Sequence, residues 1–252
     1  MTGRPRPAMI GAMIEIGRVA AIYRHPVKSM RGERLDSAAL GWNGIDGDRQ
    51  YAFYKATDGS RFPWLSGRDI AALVLHRARY LDPANPRNSA VRVTIPEGAE
   101  FDVRDPDLAG RLGAAAGREI RLLQLGRGTF DSMPISVVTR ATLDAVGRGF
   151  GRPLEEARFR INIILDSDRR EGDWLGGTLV FGDGAEQPRL GVNRRIARCR
   201  MITIDPETAA TDPAILRLVA QRFDNEIGVY CTPDATGILC KGDPVRLLPR
   251  VG

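Results

Sequence analysis

The sequence contains little histidine and little cysteine, and these shortages exclude several kinds of site. With two histidines in 252 residues, a catalytic triad or a histidine-based acid–base pair has almost no candidates. Three cysteines (Cys199, Cys231 and Cys240) are too few and too odd in number for a disulfide framework, which favours a reducing compartment. They also lack C-x-x-C spacing, so neither a structural zinc site nor an iron–sulfur cluster is indicated.

Long apolar and long basic runs are absent as well. No stretch approaches the roughly 18 apolar residues that a membrane span needs, and no secretory signal is recognisable. We therefore expect a cytoplasmic protein without a membrane span. The net charge is +6, but the basic residues are scattered and no nucleic-acid-binding motif accompanies them. This dispersion argues against a nucleic-acid partner and suits a concave site for a phosphorylated small molecule.

Motifs for common enzyme classes are missing too. The chain has no Walker loop, no G-x-G-x-x-G after a strand, no H-E-x-x-H and no G-x-S-x-G. Nucleotide hydrolysis, dinucleotide binding, zinc proteolysis and serine hydrolysis are therefore not indicated.

Glycine and proline, by contrast, are plentiful, with 28 and 16 residues. Turn residues at this density between short apolar runs predict an α+β, β-rich fold with barrel-like units and a few short helices. A turn at Gly126-Arg127-Gly128 marks a domain boundary. The predicted divisions are a disordered leader at 1–13, a first β-barrel-like domain at 14–125 and a second at 126–252.

Periodicity locates individual elements. Strands are predicted at residues 17–25, 50–55, 73–80, 90–95, 161–165, 178–181, 201–204, 227–231 and 244–248. Short helices are predicted at residues 105–117, 139–146 and 212–223. The last has clear local signals, because Asp212 is suited to the N-cap and Pro213 to the first helical position.

Cys199 is the first candidate for chemistry. Arg198 and Arg200 flank it, and guanidinium groups near a thiol stabilise the thiolate, which is the form that attacks electrophiles or binds metals. The alternative is a buried structural cysteine, since free cysteine is among the most buried residue types. Cys231 and Cys240 are predicted to be core or edge-strand residues.

Three polar clusters are candidates for binding. Lys28-Ser29 follows a strand, where a phosphate would meet a cation and a hydroxyl, and Arg49 follows a nearby loop. Arg158, Arg160 and Asn162 are predicted to share one face of a strand over 158–165, which suits bidentate recognition. Asp131-Ser132 offers an acceptor and a hydroxyl. Solvent-facing surface and turn capping remain the alternatives for these clusters.

Taken together, these motifs resemble one family, the MOSC-domain proteins related to the C-terminal domain of molybdenum cofactor sulfurases. The N-terminal β-barrel domain of that family resembles His25-Pro-Val-Lys-Ser-Met-Arg-Gly-Glu33 and Gly44-Ile-Asp-Gly-Asp-Arg49. The MOSC domain itself resembles the motifs Arg158-Phe-Arg-Ile-Asn162, Glu171-Gly-Asp-Trp-Leu175, Arg198-Cys199 through Thr208, and Gly242-Asp243.

The resemblance implies a concrete function. In relatives such as the amidoxime reducing component, the cysteine at the position of Cys199 ligates molybdenum, and the protein reduces N-hydroxylated compounds. The resemblance implies that Lys28, Ser29 and Arg49 hold the pterin cofactor and its phosphate, and that Asp131 and Arg160 line the same site. The remaining expected cofactor-binding residues are Ser132, Asn162 and Arg198.

The differences from the family are also informative. Some relatives carry a C-terminal ferredoxin-like domain that this sequence lacks, so we expect electrons from a separate ferredoxin, flavin or haem protein. His25 stands where the family usually has tyrosine. The pyridoxal-phosphate domain of full sulfurases is missing, and we do not predict that cofactor.

Two other hypotheses stay open at this point. Cys199 would serve equally well as the persulfide carrier of a sulfur-transfer or cofactor-binding module without redox catalysis. A basic, nucleic-acid-binding β-protein is the third hypothesis, and it predicts salt-sensitive binding that is indifferent to Cys199→Ser.

Overall fold

The computed structural model describes residues 12–184 and 186–250, and this part of the chain is dominated by short strands. The predicted leader at 1–13 lies almost entirely outside the described residues. The strands are β1 (Ile14–Arg24), β2 (Glu33–Leu35), β3 (Ser37–Gly41), β4 (Gly44–Ile45), β5 (Tyr51–Lys55), β6 (Arg77–Tyr80), β7 (Val91–Thr94), β8 (Glu100–Asp102), β9 (Ile120–Gln124), β10 (Ile135–Thr139), β11 (Ile163–Asp166), β12 (Thr178–Phe181), β13 (Arg189–Ala197), β14 (Glu226–Ala235), β15 (Gly237–Cys240) and β16 (Pro244–Leu248). The α-helices are α1 (Pro106–Ala116), α2 (Arg140–Phe150) and α3 (Pro213–Arg222), and short 3-10 helices lie at Ala71–Leu75, Pro86–Asn88, Glu156–Phe159, Glu171–Trp174 and Arg200–Thr203.

Seven of the described strands close into a barrel. Their order is β11-β10-β14-β13-β12-β16-β1, and β1 closes the ring by pairing with β11 as well as with β16. Strand β2 extends the sheet beside β1. Inward-facing aliphatic side chains of several strands fill the interior, among them Val19, Val137, Leu179 and Val229. Closure removes the free edges that would otherwise invite aggregation.

Strands β5 to β9 and helix α1 build a second unit with its own core. Strands β5 and β9 pair with each other, and β6, β7 and β8 form a separate antiparallel sheet. Tyr51, Phe53 and Tyr80 pack there against Leu108 of α1. Helices α2 and α3 belong to a third cluster of buried residues, which includes Val146 and Ile215 together with residues of β10 and β11.

Local capping signals place the helices where the sequence predicts them. The side chain of Asp105 accepts a hydrogen bond from the Asp107 amide at the start of α1, and Gly117 ends that helix in the left-handed conformation. Thr139 and Asp212 cap α2 and α3 in the same way. Helix α2 continues to Phe150, four residues beyond the predicted end, because Gly147 and Gly149 do not interrupt it.

Three strand predictions are wrong in part. Residues 201–204 lie mainly in the 3-10 helix Arg200–Thr203, and residues 71–75 form another before β6 begins at Arg77. The strand predicted over 158–165 is a 3-10 helix up to Phe159, followed by Arg160 in the left-handed conformation, with β11 beginning only at Ile163. Alternating apolar residues are compatible with either backbone when both faces are covered, so periodicity did not separate them.

Strand pairing crosses the predicted boundary at residue 126. Strand β1 is part of the barrel that the C-terminal strands build, and β3 pairs with β15. The division of the chain into 14–125 and 126–252 therefore stays a prediction from sequence. Within the described residues, no helix is both long enough and apolar enough to cross a membrane.

Candidate functional site

A cavity of about 1050 Å³ is lined by residues from both halves of the chain. Every residue that the sequence analysis selects as a candidate contributes to its lining. These residues are Lys28, Ser29, Arg49, Asp131, Ser132, Arg158, Arg160, Asn162, Arg198 and Cys199. The structure thus brings the N-terminal and C-terminal motifs to one place, although their individual roles remain predictions.

Cys199 lies in the wall of this cavity, and its side chain is exposed. It follows β13 and is the residue immediately before the 3-10 helix Arg200–Thr203. The backbone of Arg198 is held by Asn225, which accepts from the Arg198 amide at 2.8 Å and donates its side-chain amide to the Arg198 carbonyl at 3.0 Å. The thiol is therefore presented from a backbone that is fixed directly before it. The alternative of a buried structural cysteine does not describe this residue.

Two arginines of the cavity have nitrogen atoms without a hydrogen-bond partner among the described residues, Nη2 of Arg160 and Nε of Arg198. Arg160 donates from Nη1 to the Met30 carbonyl at 2.8 Å, and Arg198 donates to the Phe159 carbonyl at 2.5 Å. Burial lowers the pKa of both, and for Arg160 burial and the neighbouring Arg49 bring the pKa to about 9, so it stays charged at neutral pH. Unpaired buried donors of this kind are costly unless a ligand uses them.

Lys28 is buried and contacts Thr129 and Asp131, which lie about one hundred positions later in the chain. Its Nζ donates to the Thr129 carbonyl at 3.1 Å and forms an ion pair with Asp131. Burial lowers the pKa of Lys28, although Asp131 opposes the shift. For Asp131 burial acts to raise the pKa, but Lys28 and then Arg49 outweigh it, and the pKa lies below its usual value. Asp131 is therefore a carboxylate at neutral pH, and its charge favours the protonated form of Lys28.

A buried network holds Arg49. Its Nη1 forms an ion pair with Asp48 and donates to Asn162 Oδ1 at 3.3 Å, while Nη2 donates to the Arg160 carbonyl at 3.0 Å. Asp48 also accepts from the His25 amide at 2.7 Å and from Asn162 Nδ2 at 3.1 Å. Asp48 was not selected from the sequence, and its role as the hub of these contacts became visible only in three dimensions.

Three residues of the site have a left-handed backbone. Ser29, Arg49 and Arg160 have φ values of 67°, 50° and 53°. This region is unfavourable for residues with a Cβ, and such strain accumulates where a site needs a particular side-chain direction. The left-handed conformation of Arg160 is also the reason why this residue does not lie in the regular strand that the sequence predicts.

The cavity is strongly cationic. Among the described residues, eight cations and two carboxylates line it. The cations are Lys28, Arg49, Arg68, Arg158, Arg160, Arg194, Arg195 and Arg198, and the carboxylates are Asp131 and Glu226. Such a cavity attracts anions, and its arginines provide planar donor pairs that match phosphate and carboxylate.

Some cavity residues were not selected from the sequence. Arg194 lies above the ring of Tyr230, with 5.7 Å from its guanidinium carbon to the ring centroid, and Arg68 lies in the same way above Phe62 at 4.7 Å. Arg194 belongs to β13, whose run of Arg-Arg obscures the strand pattern. Phe62 lies in a loop whose contacts no local signal predicts.

The remaining cysteines and His25 lie outside the cavity lining. Cys231 is buried in β14, where burial raises the pKa of its thiol, and Cys240 ends β15, as predicted from the sequence. His25 is buried, and burial followed by Arg160 and Arg49 lowers its pKa well below the usual value. Among residues 12–184 and 186–250, no group of three or more His, Cys, Asp or Glu side chains is arranged to hold a metal ion. Among the described residues, the cavity therefore offers the sulfur of Cys199 and not a complete set of protein ligands for a metal.

The structure places an exposed thiol in a cationic cavity beside a closed β-barrel, and comparison with family models identifies the class of protein. The model of the MOSC N-terminal β-barrel domain matches residues 16–117, and that of the MOSC domain matches residues 125–246. The chain belongs to the MOSC-domain family with the N-terminal barrel. MOSC domains are associated with binding of the molybdenum cofactor.

One solved structure with a TM-score above 0.5 shows that another protein shares the fold. The crystal structure of the YUAD protein from Bacillus subtilis covers 95% of this chain and 100% of its own, with 12% identity and a TM-score of 0.52. YiiM from Geobacillus stearothermophilus covers 46% of this chain and 55% of its own, with 20% identity and a TM-score of 0.37. A hypothetical protein covers 94% and 71%, with 11% identity and a TM-score of 0.46. No curated protein matches the chain.

Proposed function

We propose that this protein is a molybdenum-cofactor oxidoreductase that reduces N-hydroxylated compounds, with Cys199 as a ligand of the metal. The observation that carries the proposal is the exposed thiol of Cys199 in the wall of a cationic cavity that is large enough for a cofactor and a substrate. A single thiolate suits a metal whose other ligands come with the cofactor.

The residues present fit an anionic pterin cofactor. Arg160 Nη2 and Arg198 Nε are buried donors without a partner among the described residues, as expected of groups that await an acceptor. Lys28, Ser29 and Arg49 would hold the phosphate, because a cation, a hydroxyl and a guanidinium converge on one cavity. Ser132 and Asp131 would meet the pterin amines, and Asn162 would keep Arg49 in place through its contact at 3.3 Å.

When bound, the cofactor supplies a metal centre that accepts and passes on two electrons. The chain itself supplies the binding charge and the sulfur of Cys199, in a cavity of about 1050 Å³ that has room for a small-molecule substrate as well. Reduction of an N-hydroxy group breaks the N–O bond and consumes two electrons and two protons, releasing water. We infer that the electrons come from a separate ferredoxin, flavin or haem protein, in a reducing compartment such as the cytoplasm.

Molybdenum and pterin content tests the proposal. Protein made anaerobically in a host that synthesises the cofactor should contain both in near-equal amounts, and Lys28→Met combined with Arg49→Gln should lose both. Cys240→Ser is the matched control, since Cys240 lies outside the cavity lining. Absence of molybdenum and pterin from the wild-type protein would refute the proposal.

A second candidate function is sulfur transfer through a Cys199 persulfide. The same exposure of Cys199 favours it, because a persulfide must be reached by donor and acceptor. Mass spectrometry would then find an adduct of roughly 32 Da that thiols remove, that Cys199→Ser abolishes and that accompanies metal-free protein.

A further inference from the structure

The positive charges of the cavity are only partly neutralised. Four of its cations have a carboxylate within ion-pair distance: Lys28 with Asp131, Arg49 with Asp48, Arg158 with Glu155 and Asp205, and Arg195 with Glu226. The other four have none among the described residues: Arg68, Arg160, Arg194 and Arg198. These four arginines favour the binding of an anionic ligand most, because no carboxylate of the described residues pairs with them.

The four uncompensated arginines fall into two kinds. Arg160 and Arg198 are partly buried and donate to backbone carbonyls, and the proposed function assigns them to the cofactor. Arg68 and Arg194 are exposed, and each guanidinium lies over an aromatic ring of the cavity lining. A guanidinium held above a ring offers a flat cationic surface as well as hydrogen-bond donors.

Contacts connect the two exposed arginines along one rim. The ring beneath Arg68 is Phe62, and Lys28 Nζ lies 5.5 Å from the centroid of that same ring. Lys28 pairs with Asp131, and the next residue, Ser132, accepts a hydrogen bond from Arg194. This rim therefore carries two exposed cations without a carboxylate partner among the described residues and two aromatic rings, next to Lys28, Asp131 and Ser132, which the proposed function assigns to the cofactor.

We propose that this rim selects the substrate, and that the preferred substrate is a planar aromatic N-hydroxylated compound carrying a carboxylate or another anionic group. The inference rests on the proposed function and names its substrate class. The flat ring stacks against the guanidinium plane that Phe62 or Tyr230 supports, and the anionic group accepts hydrogen bonds from Arg68 or Arg194.

A pair of matched substrates tests the selection. Benzamidoxime is neutral, and its para-carboxylate derivative differs from it by one negatively charged carboxylate on the ring. With each substrate the N–O bond breaks, and two equivalents of reduced methyl viologen donate one electron each. With two protons taken up, the products are the corresponding amidine and water. The wild-type enzyme should reduce the carboxylate with a kcat/KM about tenfold higher.

Single substitutions locate the effect. Arg68→Gln or Arg194→Gln should each lower the ratio of kcat/KM for the carboxylate over kcat/KM for neutral benzamidoxime about fivefold, mainly through the KM of the carboxylate. Arg118→Gln is the control, because Arg118 is exposed and lies outside the cavity lining. Equal kcat/KM values for both substrates, unchanged in the two variants, would overturn the inference while the proposed function stands.

Binding without turnover separates the two claims. Calorimetry with terephthalate, a planar dianion, should give a Kd that rises about fivefold in Arg68→Gln and in Arg194→Gln. If the protein reduces neither amidoxime and this dependence persists, the proposed function fails and recognition of aromatic anions stands. Binding that is indifferent to both arginines overturns the recognition itself.

Discussion

Asp48 should be the most sensitive polar residue of the site when it is replaced. Its side chain has no solvent exposure, while that of its ion-pair partner Arg49 is 14% exposed. Besides Arg49, its oxygens accept from the His25 amide at 2.7 Å and from Asn162 Nδ2 at 3.1 Å. Asp48→Ala removes an acceptor from three donors, one of them charged, in a largely dry environment. The His25 amide is then left without a partner among the described residues, while Arg49 Nη1 keeps only Asn162 Oδ1 at 3.3 Å and Asn162 Nδ2 keeps only the Tyr23 carbonyl at 3.2 Å.

The expected magnitude follows from these contacts. Removing one partner of a buried ion pair destabilises a protein by about 3–5 kcal/mol. Asp48→Asn should lose nearly as much, because the new amide group would face the amide of Asn162 and the guanidinium of Arg49, which are both donors. Asn162 does not turn over to help, since its Oδ1 already accepts from Ser136 Oγ at 2.9 Å and from the Ser136 amide at 3.2 Å.

Guanidinium unfolding of the cofactor-free protein measures this loss. Both Asp48 variants should unfold at clearly lower denaturant than the wild type with an unchanged m-value. Glu119→Gln, which breaks the exposed pair with Arg121, should leave the midpoint unchanged. An Asp48→Ala variant within about 0.5 kcal/mol of the wild type would refute the account of Asp48 as the hub.

Three further predictions concern stability. Burial, followed by Arg160 and Arg49, holds the pKa of His25 well below 6.5, so below that pH the unfolded chain binds a proton that the folded chain does not. The free energy of unfolding should therefore fall as the pH drops below about 6.5, and it should fall less steeply in His25→Asn. Urea titrations at several pH values measure this dependence. Glu171 is buried and accepts from four donors among the described residues, so Glu171→Ala should lower the free energy of unfolding by about 3 kcal/mol, an expectation that a loss under 1 kcal/mol contradicts. Gly17 has a φ of +144°, and a Cβ at this position would lie 2.1 Å from the Asp166 carbonyl oxygen. Gly17→Ala should therefore disturb the pairing of β1 with β11 and lower the melting temperature by several degrees. An unchanged melting curve would contradict this prediction.

Local signals predicted local structure well. Asp105, Thr139 and Asp212 cap the helices that follow them, because a capping interaction joins residues two or three positions apart. Strands β12 and β16 coincide with the predicted ranges. Strand β13 was missed since Arg194 and Arg195 interrupt its alternation on the side that faces the cavity.

The candidate site was assembled from motifs, and the motifs could not supply its geometry. Local residue chemistry and the family resemblance together predicted residues such as Lys28 and Cys199, which are separated by more than half of the chain length and which the fold places at one cavity. The hub at Asp48 and the rim formed by Arg68 and Arg194 depend on contacts between distant segments. Contacts between distant segments do not alter the hydrophobic periodicity of either segment, so the sequence pattern does not predict them.

The central claim is that Cys199 ligates molybdenum, and X-ray absorption at the molybdenum edge tests it most directly. The account predicts that cofactor-loaded wild-type protein and Cys240→Ser have the same number of sulfur neighbours around the metal, and that Cys199→Ser has one fewer. An unchanged sulfur count in Cys199→Ser protein that retains molybdenum would contradict the claim.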